Sequence, residues 1–150
     1  MECAVPEDSE LIDRLKRKLY QLGASYDRGF GATPGARSQA LQLIQDLEGA
    51  NQETQAARGI ENNRESPLAG KWRMIWTTAL DVLSLNASPI FTTGAVYQVF
   101  EPPVVTNVMD FLPRAQALFP PDTIPSSLIR AQVLTRANFR SDNRVGLVFE

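Results

Sequence analysis

The chain has 150 residues, 43% hydrophobic and 21% charged, which suits one compact domain with a buried core. Its 15 basic and 17 acidic residues leave a formal charge of -2 and no broad basic footprint, so nucleic acid is excluded as an expected partner. With no histidine and with Cys3 as the single cysteine, disulfide frameworks, zinc sites of the cysteine and histidine type and imidazole-dependent catalysis are excluded, and neither metal nor cofactor is expected.

No apolar run approaches the roughly 18 residues needed for a membrane-spanning helix, so any membrane contact is expected to be peripheral. The start, Met1 to Asp8, is acidic and not apolar, unlike a secretory signal or an acid-poor import leader; for an imported protein the leader is expected to have been removed. From Asp8 to Leu22, leucines at 11, 15, 19 and 22 form a helical stripe with Gly23 behind it as a stop. Arg14, Lys16, Arg17 and Lys18 give this helix a basic side, read as a solvated face. Thr33-Pro34 supplies a cap and first helical residue for a second helix, with Ala40, Leu41, Ile44 and Leu47 on one face and an end near Gly49. The polar stretch 51–67 reads as an exposed linker between a helical segment, 1–50, and a β domain, 68–150.

The period then changes. In Gly70 to Thr78, Trp72, Met74, Trp76 and Thr78 alternate with Lys71, Arg73 and Thr77, the pattern of a half-buried strand, with Ile75 the one exception. Gly94 to Glu101 and Val104 to Phe111 predict two antiparallel strands parted by Pro102-Pro103. Leu128 to Arg140 predicts the longest strand, with Ile129, Ala131, Val133, Thr135, Ala137 and Phe139 on one side, and Ser141 to Arg144 turns it into a last strand, Val145 to Phe149. About five one-sided strands joined by turns suit an antiparallel sheet curling toward a barrel. A ligand-enclosing barrel usually has about eight strands, and Glu150 follows an apolar run directly, so further strands are expected to be missing.

Other motifs are weak. Gly29 to Gly35 has the wrong spacing for a phosphate loop and lacks a preceding strand. Asn86-Ala87-Ser88 fits a glycosylation acceptor but is followed by Pro89. Ser126 and Ser127 have no histidine to activate them, and Asp46, Glu48, Asp81, Asp110 and Asp122 show no pairing, so no catalytic residue is assigned and the protein is not expected to be an enzyme.

Leu68-Ala69-Gly70-Lys71-Trp72-Arg73-Met74-Ile75-Trp76-Thr77-Thr78 resembles the signature strand of the plastid lipid-associated proteins, the fibrillin or plastoglobulin family, with Trp76 where tyrosine is usual. Gly94-Ala95-Val96-Tyr97-Gln98 resembles the second signature of that family, and Asn107-Val108 the pair in its next strand. Asp27-Arg28-Gly29, Leu47-Glu48 and Asn51 are similar to its helical preamble. The resemblance runs from about the first helix to Glu150, while the family's usual continuation, with an arginine- and glycine-containing motif, is not in this sequence.

The resemblance implies a plastid protein of lipocalin-like fold, at plastoglobules or thylakoids, that binds or organises isoprenoids, fatty acids or other apolar molecules. On this reading the fold is mainly β with an N-terminal helical segment (α+β), a lipocalin-like antiparallel barrel left incomplete. Gly70 and Trp72 are assigned to barrel closure, and Met74, Trp76, Tyr97, Val99, Ile129, Val133, Ala137 and Phe139 to the ligand-lining interior. Gln98 or Asn107 could add specificity if they point inward. Expected partners are apolar small molecules, a peripheral membrane or lipid-droplet surface and a possible protein partner. The alternative is a non-enzymatic interaction partner that stabilises or positions another plastid protein through its strand edges and carries no ligand.

Overall fold

Leucines at positions 15, 19 and 22 recur at helical spacing, and burying that stripe is what organises the first part of the chain. In the computed structural model, which describes residues 7–61, 65–120 and 129–149, helix α1 spans Glu7–Ser25 and α2 spans Pro34–Gly49. Thr33 Oγ1 accepts the Ala36 N–H at 3.2 Å and caps α2, as its Thr-Pro start predicts. Leu15, Leu19 and Leu22 close on Ala40 and Leu43, with Ile44 and Leu47 beside them. Leu41, expected on the packed face, points outward instead, because the buried positions 36, 40 and 43 put it off the stripe.

Two compact units divide the chain: 1–52 with 75–83, and 53–74 with 84–150. Within the first, Ile75, Trp76 and Tyr26 pack on the leucine cluster, and the Thr77 N–H donates to the Arg28 carbonyl at 2.9 Å. This explains why α1 does not stop at Gly23. A Cβ at Gly23 would stand 2.5 Å from the Ile75 carbonyl oxygen, so the glycine is there for close approach inside the helix.

The second unit is a five-stranded antiparallel sheet in chain order: β1 (Gly70–Arg73), β2 (Phe91–Glu101), β3 (Val104–Pro113), β4 (Ile129–Ser141) and β5 (Arg144–Phe149). Among the described residues β1 and β5 are its edges, so the sheet is not closed into a barrel, and the architecture is α+β. Glu101 pairs with Val104 and Ser141 with Arg144, so Pro102-Pro103 and Asp142-Asn143 are two-residue connections that pin the register. Between Thr93 and Val96, two residues of β2, Gly94 and Ala95, oppose the single Asp110 of β3, a bulge. A short helix, α3 (Leu80–Ser84), was not legible in the sequence because five residues are too few to show a helical period.

The predicted first strand is shortened. Pairing stops at Arg73, and Met74 keeps one bond, its N–H to the Val96 carbonyl at 2.9 Å. Ile75 and Trp76 are successive apolar residues that cannot share one face of a strand, and both leave for the helical core. The stretch expected to be an exposed linker contributes to the interior of the β unit: Ile60 joins Val105 and Ala137 in a fully buried cluster flanked by Leu68, Phe100, Val145 and Leu147.

An alanine inside a helix ordinarily stabilises relative to glycine by about 0.5–1 kcal/mol. Gly23→Ala is expected to do the reverse, lowering stability by about 1–3 kcal/mol through the backbone clash. Gly49→Ala, where an added Cβ meets nothing within 4 Å, is expected to be neutral or mildly stabilising. Urea midpoints of the two variants check this.

Candidate functional site

Residues directly opposed in an antiparallel sheet share a face, so the register sorts every strand residue to one side or the other. Trp72, Gln98, Asn107 and Val133 form one continuous row across β1 to β4. Phe100, Val105, Thr135 and Phe149 form another on the same side, as do Val96, Met109 and Ala131, and then Phe111 with Ile129. No Asp, Glu, Lys or Arg stands on this face of the described strands.

The opposite face carries Lys71, Arg73, Arg130 and Arg136, with Glu101 and Asp110. Arg140 joins them, lying over Gly146, where an added Cβ would meet its Nε at 2.6 Å. Tyr97 sits at the centre, 9% exposed, with Lys71 Nζ 3.9 Å and Arg130 Cζ 5.8 Å from its ring centroid. Arg130 grips Asp110 through two hydrogen bonds of 2.7 and 3.1 Å. Those bonds hold the Asp110 carboxyl below the ordinary aspartate value, helped by the Lys71 charge, and hold the Arg130 guanidinium above its own ordinary value.

The ten residues singled out from the sequence therefore fall in four places. Gly70, Trp72, Ile129, Val133, Ala137 and Phe139 share the charge-free face. Tyr97 and Val99 are on the charged one, so they do not line the same surface. Met74 is half-buried at the end of β1, and Trp76 belongs to the helical unit, where its indole Nε1 is buried with no hydrogen-bond partner among the described residues.

Gly70 has φ +134°, open to glycine and rarely to other residues, and it sets the entry to β1. Two residues on, the Trp72 indole donates to the Leu68 carbonyl at 2.8 Å, tying β1 to the segment that plugs this end of the face. Trp72 is nonetheless 51% exposed.

At the other end the charge-free face is open. Phe91, Phe111 and Ile129, with Leu85, Ala87 and Ser88 from the 3₁₀ turn after α3 and its flank, line a hollow of about 460 Å³. Ile129 is 49% exposed there. The sequence pointed to Ile129 but not to Phe91 or Phe111. The Thr92-Thr93 pair next to Phe91 was the available strand signal, and Phe111 needed the register to give it a side. A second hollow, about 510 Å³ between α1 and α2, carries Lys16 and Glu48 among Ile12, Leu19, Ile44 and Leu47 and is less suited to an apolar ligand.

The described residues hold no cluster of three or more Cys, Asp or Glu that could bind a metal, and no helix among them is long and apolar enough to cross a membrane. Compared with known families, residues 13–150 match the PAP_fibrillin model. The chain belongs to the PAP/fibrillin family. This is a family of plastid lipid-associated, structural proteins, as the signatures around Trp72 and Tyr97 imply. No curated protein and no solved structure matches the chain. In this member the first signature, Leu68 to Thr78, is divided: its glycine and first tryptophan serve the sheet, and its second tryptophan serves the helical core.

The Asp110 and Arg130 pair makes acid stability a test of the charged face. Because the folded carboxyl has the lower pKa, the stabilisation is complete above the ordinary aspartate value of about 3.9 and is lost as pH falls through the depressed one. The stability difference between the wild type and Asp110→Asn is expected to be flat from about pH 7 to about pH 5 and to shrink below about pH 4. Denaturant melts across that range measure it.

Proposed function

We propose that the protein binds or organises apolar small molecules, such as isoprenoids or fatty acids, at plastoglobule or thylakoid surfaces, with no catalytic step. The observation that carries this reading is the division of charge across the sheet. One face offers aromatic and aliphatic side chains and an open hollow with Phe91, Phe111 and Ile129; the other gathers Lys71, Arg73, Arg130, Arg136 and Arg140 against only Glu101 and Asp110. Apolar ligand surface removed from water there contributes about 25 cal/mol per Å². The cationic face, with exposed Leu134 and Val148 between the charges, suits anionic lipid headgroups. Membership of a lipid-associated family supports the same reading.

The matched variants Ile129→Asp and Leu134→Asp test the ligand face. The two positions are 49% and 61% exposed, so neither change forces a charge into the core. Fluorescence titration with N-phenyl-1-naphthylamine is expected to show Ile129→Asp weakening binding at least about tenfold, with Leu134→Asp near the wild type. No binding of the probe by the wild type, with no lipid co-purifying from native preparations, would transfer the weight to the alternative role of a ligand-free partner of another plastid protein. Co-sedimentation with phosphatidylglycerol-containing vesicles, reversed by salt, is the expected behaviour of the charged face.

A further inference from the structure

In the middle of the charge-free face two amides stand side by side. Gln98 and Asn107 are directly opposed on β2 and β3, and both are half-buried. Gln98 Nε2 donates to Asn107 Oδ1 at 2.7 Å, and Asn107 Nδ2 donates to the Val133 carbonyl at a long 3.5 Å. Each amide has two N–H donors and a carbonyl with two lone pairs. After these bonds, the Gln98 carbonyl oxygen and one N–H on each amide have no partner among the described residues. The nearby Trp72 indole and Thr135 hydroxyl are committed to the Leu68 and Val105 carbonyls.

From Asn107 the face runs four residues along β3, roughly 13 Å, past Met109, Val96 and Ala131 to the hollow at Phe91, Phe111 and Ile129. We infer that this face selects an uncharged amphipathic lipid, its hydroxyl or carbonyl head on the Gln98 and Asn107 amides and its apolar chain laid along β3 into the hollow. The inference rests on the ligand face proposed above and narrows what it takes. An amide pair can both donate to and accept from a neutral oxygen function. A carboxylate head at the amides would lose its hydration where the described strand residues offer no cation, since the basic ones are on the other side.

Displacement of N-phenyl-1-naphthylamine from the full chain by 1-hexadecanol, palmitate and hexadecane, at about pH 8 where the carboxyl is ionised, tests it. Hexadecanol is expected to displace the probe at the lowest concentration. Gln98→Leu should weaken hexadecanol about 2- to 10-fold and leave hexadecane unchanged. Gln98→Met, closer in shape, should behave alike and guards against a folding defect, which circular dichroism reads independently. Palmitate competing as well as hexadecanol, or hexadecanol unaffected by both variants, would overturn the inference while leaving the ligand face intact. A wild-type chain that fails to bind the probe would overturn both.

Discussion

The register of the β2–β3 and β4–β5 hairpins is the constraint on which the rest of the β unit depends. Side chains on a strand alternate with a period of two, so a slip by one residue would exchange its two faces. The two-residue connections at Pro102-Pro103 and Asp142-Asn143 leave little freedom for such a slip. Held in place, Val105 and Ala137 meet Ile60 in the interior, and Arg130 reaches Asp110 across the strand pair. The bulge at Gly94 and Ala95 adds local twist where Asp110 is paired, without disturbing the row from Trp72 to Val133.

Charge explains why much of the site was not legible in composition. A formal charge of -2 looks balanced, yet the fold gathers cations on one side of the sheet and, among the described strand residues, leaves none on the other. Alternation within each strand was visible: Arg130 and Arg136 fell opposite Ile129, Val133 and Ala137 in the sequence as they do in the structure. What a single strand cannot reveal is which of its faces joins which face of its neighbour. Tyr97 and Val99 group with Val133 by alternation alone for that reason, and the pairing of Gln98 with Asn107 and of Asn107 with Val133 separates them.

Helices α1 and α2, the cap at Thr33 and the later strands followed from local chemistry and needed no tertiary knowledge. The failures have a common cause in contacts distant along the chain. Gly23 carries the mark of a helix stop, but the Ile75 backbone that requires it lies some fifty residues on. Trp76 obeys the strand period, but the leucines of α1 offer it a better place, and Ile75, the exception in that period, was the visible sign. Ile60 sits in a polar stretch and becomes interior only because the sheet presents Val105 and Ala137 to it.

The passage of the chain from one unit to the other between Met74 and Ile75 bears on modularity. Each unit is assembled from two separate stretches, 1–52 with 75–83 and 53–74 with 84–150, so no single cut yields either one whole. A fragment beginning after α2 would carry Ile75 and Trp76 away from the leucines they cover, and one ending before β1 would leave those leucines bare. Such units cannot be shuffled by simple fusion at a linker. The short stretch from Leu68 to Thr78 is answerable to two cores at once, a double obligation that narrows the substitutions either half can accept.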